Sequence, residues 1–275
     1  MAEPALSPCA AAVRRLDPDL FATALFAPEP GRERLMVLYA FDIELSRAAD
    51  KVRTSDTGPL IAQMRVQWWR DVVEAAAAGE QPRAHEVAEP LARLVAEGRL
   101  DRDDLMAVIS ARDDEIAGEM DADAFDTWAD RRFGALTRLA AGVLEAAPAE
   151  AARPAGQALA RAFALRVARG MARESRSLLP QLPAPSVGAI ARGELDEAGR
   201  AAVLEAARKG RAALAEARAI GAPRGAGPAF LPLWRAETTL KAAEARPEAV
   251  AEGLPAPSPA RRAAVLGWRA LRGRW

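Results

Sequence analysis

Tyr39-Ala40-Phe41-Asp42-Ile43-Glu44-Leu45-Ser46-Arg47-Ala48-Ala49-Asp50 is the stretch that decides the fold. No Gly or Pro interrupts the chain from Arg32 to Thr57, and good helix formers dominate, so the segment reads as one helix. Asp42, Ser46 and Asp50 stand at i, i+4 and i+8 and share a stripe, with Tyr39 one turn earlier. Leu35, Leu38 and Leu45 lie close to the same face. Carboxylates among core-facing residues are costly to bury without partners. Such a stripe inside a bundle is either a site or the remains of one.

Composition extends the helical reading to the whole chain. Of 275 residues, 51% are hydrophobic and 5% aromatic, and Ala, Leu, Arg and Glu prevail, which argues an all-α domain. Lys+Arg and Asp+Glu are both 38, so net charge gives no reason to expect nucleic acid. Cys9 is the only cysteine, which leaves no intramolecular disulfide and no cysteine-based metal site. His85 is the only histidine; it reads as a surface residue opening a helix, and multi-histidine metal sites are excluded. No run approaches the roughly 20 apolar residues of a spanning helix. The N-terminus, with Glu3, Pro4 and Pro8, does not read as a secretory signal. The expected setting is cytoplasmic, with attachment to the inner face of a membrane left open.

Residues 1–15 read as a poorly ordered lead-in, and 16–246 as one helical domain. Asp17 caps a helix with Pro18 at its first position, and Ala27-Pro28-Glu29-Pro30-Gly31 ends it. After the central helix and a loop at 55–59, a helix from Leu60 to Ala78 carries Met64, Trp68 and Val72 as a core stripe, with Trp69 and Val73 beside it. Gln67 and Arg70 could face a cavity. Helices follow at 86–97 and 103–118; on the second, Asp113, Asp114, Glu115 and Glu119 read as a solvated face. Further helices are expected from Asp126, over Ala155–Arg176, over Asp196–Ile220 and from Phe230 to Arg246. Residues 247–259 read as a Pro/Ala-rich linker, and 260–275 as a basic amphipathic helix. Its stripe of Val265, Trp268, Leu271 and Trp275 is flanked by five arginines. That pattern suits an anionic membrane surface or docking back on the bundle.

Tyr39-Ala40-Phe41 followed by spaced acids resembles the first aspartate motif of the squalene/phytoene synthase family. The resemblance implies a single large helical bundle of the isoprenoid synthase type. It also implies head-to-head joining of two isoprenyl diphosphates, with Mg²⁺ held by two facing Asp-x-x-x-Asp helices. Laid on this chain, the first pair falls on Ser46 and Asp50, and a basic residue of the motif falls on Ile43. In the opening helix, Phe21 and Ala22 stand where Ser or Tyr would touch a diphosphate. The segment Asp126–Leu136 is similar to Tyr-Cys-x-Tyr-x-Ala-Gly, with Trp128 and Arg131 at the tyrosines and Gly134 at the glycine. Leu165-Arg166-Val167-Ala168-Arg169-Gly170-Met171-Ala172-Arg173-Glu174-Ser175-Arg176-Ser177-Leu178-Leu179-Pro180 resembles Leu-Arg-Asp-x-x-x-Asp-x-Arg-x-x-Arg-x-Tyr-Leu-Pro. Arg166, Arg173, Arg176 and Leu179-Pro180 match, while Val167 and Met171 replace the aspartates. Phe41–Leu45 and Met64–Trp69 look most like the branch that includes the phytoene-synthase-like assembly factor of respiratory complex I.

One of four family acids, Asp50, stands at its position. Asp42 is eight residues away, about 12 Å along a helix axis, and Val167 and Met171 are not oxygen ligands for Mg²⁺. The chain therefore reads as a non-catalytic relative with no metal and no cofactor. Tyr39, Asp42, Ser46, Asp50, Gln67, Arg131, Arg166, Val167 and Met171 are the candidates for its ligand pocket. The partners considered are respiratory complex I subunits, a membrane surface and an isoprenoid or lipid ligand. The alternative is an active Mg²⁺-dependent prenyl transferase that keeps Asp50 as a ligand.

Overall fold

In the computed structural model, residues 6–49, 58–117, 120–255, 257–273 and 275 are described. Ser7 opens helix α1 (Pro8–Leu16), its hydroxyl accepting the Ala10 N–H at 3.1 Å. Cys9, Ala10 and Val13 are buried and pack on the third helix, so most of the expected disordered lead-in is instead an amphipathic helix with its apolar face covered. Asp17 caps α2 (Pro18–Ala24) through the Leu20 N–H at 3.0 Å. Helix α3 (Gly31–Ala49) is the central stretch, with Leu35, Leu38, Tyr39, Phe41 and Leu45 buried.

Helix α4 (Gly58–Ala77) buries Ala62, Val66, Trp69, Val73 and Ala76. This corrects the expected stripe, because Met64 is 65% exposed and Trp68 only half-buried. The helix is turned by about one residue: Trp69 meets Phe41 edge-on at 5.2 Å, and Trp68 turns to His85 at 5.3 Å. His85 is half-buried, and its Nδ1 accepts the N–H groups of Val87 and Ala88 at 3.1 and 3.3 Å. It thus caps α5 (Ala88–Ala96). Helix α6 (Arg102–Ala117) begins on Asp101, which accepts the Asp104 N–H at 2.9 Å.

Helix α7 (Ala122–Ala129) runs without a break through a π-helical turn, Asp130–Gly134, into α8 (Ala135–Val143). Helix α9 (Ala152–Ala172) is the central post. It packs against that turn, against α11 (Glu197–Ile220) and against α13 (Leu233–Ala245). Its many alanines let the neighbours approach closely. Helix α10 (Ala184–Arg192) and the short α12 (Gly227–Phe230) fill the ends of the bundle. No strand occurs among the described residues, and the chain is all-α as read. The expected linker contains α14 (Glu248–Glu252), whose Ala249, Val250 and Ala251 are buried. Three consecutive small apolar residues seat that turn on the core.

Helix α15 (Pro259–Leu271) lies on the bundle. Leu266 is buried, Arg262 pairs with Asp19 at 3.1 Å, and the buried Trp275 ring lies 4.8 Å from Phe230. Within the sequence-derived stripe, Trp275 and the half-buried Val265 therefore face protein, while Trp268 and Leu271 are 59% and 85% exposed. Among the described residues no helix is long and apolar enough to cross a membrane.

Glu237 is the clasp of this end. It accepts Arg218 of α11 at 2.7 Å, Lys241 of its own helix at 2.6 Å and Arg269 of α15 at 2.6 Å. Burial alone raises its pKa, but the three cationic donors outweigh it and hold the carboxyl well below its ordinary 4.5. A depressed carboxyl pKa stabilises the fold above the unfolded value and loses that effect as pH falls toward the folded one. Glu237→Gln is thus expected to lower Tm clearly at pH 6. The gap to wild type should narrow as pH falls through 4.5 toward 3, read by thermal unfolding; a pH-independent gap would refute the clasp.

Candidate functional site

A cavity of about 400 Å³ opens between α2, α3, α8, α9 and α13. Leu20, Ile43, Phe133, Leu136, Leu159 and Phe163 give it apolar walls. At one end lies a buried cluster of charges. Asp42 is 8% exposed. Its Oδ1 pairs with Arg112 Nη2 at 3.0 Å and Arg132 Nη1 at 2.6 Å, and its Oδ2 accepts Arg132 Nη2 at 3.2 Å. Ser46 accepts from Arg112 at 2.8 Å and donates to the Asp42 carbonyl at 3.0 Å. Behind them Glu115 pairs with Arg112 at 2.8 Å and Arg132 at 3.4 Å, and accepts the Trp128 indole N–H at 3.3 Å. Among the described residues two carboxylates face two guanidinium groups, so their formal charges cancel. Burial and the repulsion of Arg112 lower the Arg132 pKa, while Asp42 and Glu115 oppose that fall.

The π-helical turn explains why Arg132 rather than Arg131 enters the cluster. A π turn carries one residue more than an α turn and so rotates the residues beyond it. Arg131 accordingly points outward, half exposed, and pairs with Asp114 at 3.7 Å. This corrects its placement in the pocket. Gln67 is likewise exposed, donating to Asp71 at 2.8 Å and accepting from Arg70 at 3.2 Å. Val167 and Met171 are half-buried against the core rather than lining the cavity. Asp50 and Glu119 lie outside the described residues. Of the remaining candidates, Tyr39, Asp42, Ser46 and Arg166 do line the cavity.

Tyr39 is 2% exposed and its hydroxyl is buried without a well-formed hydrogen bond. Thr23, whose own hydroxyl donates to the Leu20 carbonyl at 2.6 Å, gives it only a weak contact. Burial, then Asp17 and Asp42, push the phenol pKa well up, so Tyr39 stays neutral. Arg235 spans both oxygens of Asp17 at 2.9 and 3.1 Å. Arg166 reaches the cavity from α9 and packs over the Phe163 ring at 5.7 Å. Sequence reasoning misses Arg112, Glu115, Arg132 and Arg235 as site residues. Of these, only Glu115 stands out in the sequence, as part of a solvated face; Asp113 and Asp114 do lie on that face, 46% and 40% exposed, but Glu115 turns inward.

Mg²⁺ takes hard oxygen ligands in near-octahedral geometry. Here both Asp42 oxygens are held by arginines, Val167 and Met171 at the second motif neither offer oxygen nor line the cavity, and no group of three or more His, Cys, Asp or Glu that could hold a metal occurs among the described residues. The described donors do not fit the metal cluster that the sequence resemblance implies.

The squalene/phytoene synthase family profile matches residues 13–269. Among solved structures, squalene synthase HpnC from Alicyclobacillus acidocaldarius superposes with a TM-score of 0.67 at 17% identity, covering 86% of this chain and 92% of that one. A dehydrosqualene synthase in complex with ligand gives 0.72 at 12% identity, covering 94% and 93%. The complex of TcSQS with E5700 gives 0.60 at 13% identity, covering 96% and 87%. At these identities the likeness establishes the helical isoprenoid synthase fold. No curated protein sequence matches the chain.

Proposed function

We infer, from the premise that the chain belongs to the squalene/phytoene synthase family, that it is a non-catalytic member acting by contact. One observation carries this reading: the Asp42 carboxylate, on the helix that should hold metal, is consumed by Arg112 and Arg132. Ionising a prenyl diphosphate needs cations on the leaving group. A carboxylate with both oxygens on guanidinium groups cannot recruit Mg²⁺ without breaking a buried pair, which costs several kcal/mol. Purified protein incubated with farnesyl or geranylgeranyl diphosphate and Mg²⁺ is expected to yield no squalene- or phytoene-like product. Turnover at ordinary enzymatic rates would overturn the reading in favour of a Mg²⁺-dependent prenyl transferase.

The contact role proposed is assembly of respiratory complex I at the inner face of the membrane. It is supported by the resemblance over Phe41–Leu45 and Met64–Trp69. It is also supported by an apolar face on the helix that carries that second stretch, where, among the described residues, Leu60, Ile61 and Met64 are left 59%, 40% and 65% exposed. Pull-down from membranes should enrich complex I subunits, and Met64→Glu should weaken that capture; absence of enrichment removes the role.

A further inference from the structure

Helix α15 rests on the bundle by one face and, among the described residues, leaves the opposite face uncovered. Arg262, Leu266 and Arg269 recur at spacings of four and three and face inward. Leu266 is buried, and the two arginines reach Asp19 at 3.1 Å and Glu237 at 2.6 Å. Arg261, Ala264, Trp268, Leu271 and Arg272 follow the same spacing on the other side, and all are exposed. The Arg272 guanidinium lies over the Trp268 ring at 3.8 Å, so a charge and a large apolar surface are presented together. Beside Trp268 a groove of about 840 Å³ opens toward the end of α11. Arg218, Arg269 and Arg272 line it, and Glu237 is the one acid among its described lining residues. The rest of the lining comes from residues 217–228 and 253–275, which contain no Asp or Glu. The whole chain is formally neutral, so this end holds a surplus of positive charge that acids elsewhere balance.

We propose that the outward face of α15 docks on the surface of an anionic phospholipid bilayer while its inward face stays on the bundle. Trp268 and Leu271 enter the boundary between headgroups and acyl chains, where an indole places its ring in apolar surroundings and its N–H in polar ones. Arg261 and Arg272 pair with lipid phosphates, and Arg218 and Arg269 in the groove add to the attraction. Val265 and Trp275 take no part, because the bundle half-covers the first and buries the second. Charge and size both favour lipid over a protein partner. The exposed charges on this face of α15 are all of one sign. Two large apolar side chains on a helix of 13 residues are few beside the roughly 20–30 residues a side of a standard protein interface. A bilayer asks only for shallow insertion combined with basic charge. The inference rests on the membrane-side placement proposed above, and adds the face, its orientation and the lipid charge it recognises.

Co-sedimentation of the full chain with vesicles tests this, using phosphatidylcholine alone and phosphatidylcholine with about one-third phosphatidylglycerol. The anionic vesicles are expected to bind the protein at least about tenfold more tightly than the neutral ones, and raising salt from about 0.1 M to about 0.5 M should remove most of that difference. Arg261→Gln and Arg272→Gln should each weaken binding about fivefold. The double variant Trp268→Ser with Leu271→Ser should weaken it by about a hundredfold, since both side chains leave water on docking. Both positions are exposed, so an unchanged Tm will show that binding and not folding was lost. Lipids with brominated acyl chains give a second measurement: they should quench part of the tryptophan emission of wild type, and that part should disappear in Trp268→Phe. Equal binding to neutral and anionic vesicles, or full binding by the double serine variant, overturns the inference. So does quenching that persists in Trp268→Phe, or vesicle binding that Met64→Glu abolishes, because another face would then meet the lipid. Vesicle binding that fails while complex I subunits are still captured overturns this inference alone and leaves the assembly role standing.

Discussion

Asp42→Asn is expected to destabilise the fold by about 3–5 kcal/mol, the usual result of breaking a buried ion pair from one side. The reason lies in the partners left behind. Arg112 is 2% exposed and Arg132 4% exposed, and both rely on Asp42 as well as on Glu115. Asparagine keeps the shape but not the charge, so among the described residues two buried guanidinium groups would face the single carboxylate of Glu115. At roughly 2–4 °C per kcal/mol for a chain of this size, Tm should fall by about 10 °C. The sign is diagnostic. A carboxylate kept for metal stands near other carboxylates in the apo protein, and neutralising it relieves repulsion and raises Tm. A carboxylate that closes a salt-bridge cluster behaves in the opposite way. Replacing Asp42 and Arg132 together by apolar residues should recover part of the loss, because Glu115 and Arg112 then balance each other. Denaturant melts of the two single variants and the double variant give the coupling directly. A rise in Tm for Asp42→Asn would remove the main support for a non-catalytic site.

The same cluster marks how far the sequence could be read. The stripe Tyr39, Asp42, Ser46 was legible because helix periodicity fixes which residues share a face, and all three line the cavity. That the acids needed partners was legible too, from the cost of burying charge. The partners' identity was not. Arg112 lies 70 residues from Asp42 and Arg132 lies 90, and no local pattern encodes a pairing over that distance. The inserted residue of the π turn then moves the inward position from Arg131 to Arg132. Periodicity at that point presumes an uninterrupted α-helix, and nothing in Asp130-Arg131-Arg132-Phe133-Gly134 announces the change of pitch. Trp68 and Trp69 posed a smaller version of the same problem. Two adjacent tryptophans are about 100° apart on a helix, and only the tertiary neighbour Phe41 decides which is core. The C-terminal helix was ambiguous in a different way. Its amphipathic stripe was real, but amphipathicity does not say whether lipid or protein covers the apolar side, and Leu266, off the stripe, is its most buried residue.

Gly156→Ala should be among the most damaging single-methyl additions in this protein. Alanine in place of glycine inside a helix ordinarily gains up to about 1 kcal/mol from a less flexible unfolded chain. At Gly156 of α9 the added methyl would lie 2.7 Å from the Gly134 Cα and 3.0 Å from the Phe133 carbonyl carbon, and would also strike the Gly134 nitrogen. All three atoms are backbone, so no side chain can rotate away; the π-helical turn and α9 must separate. Overpacking costs about 1–3 kcal/mol where side chains can adjust, and a rigid backbone contact places this site at or beyond the upper end. The clash therefore exceeds the entropic gain, and Tm should drop by several degrees. Separation of these two elements also shifts Arg132, so its pairing with Asp42 and Glu115 should loosen with it. Gly170 supplies the control on the same helix. Nothing lies within 4 Å of a methyl placed there, so Gly170→Ala should show the entropic gain alone and raise Tm slightly. If the two substitutions shifted Tm in the same direction, the close approach of α9 to the turn that carries Arg132 would not exist as described.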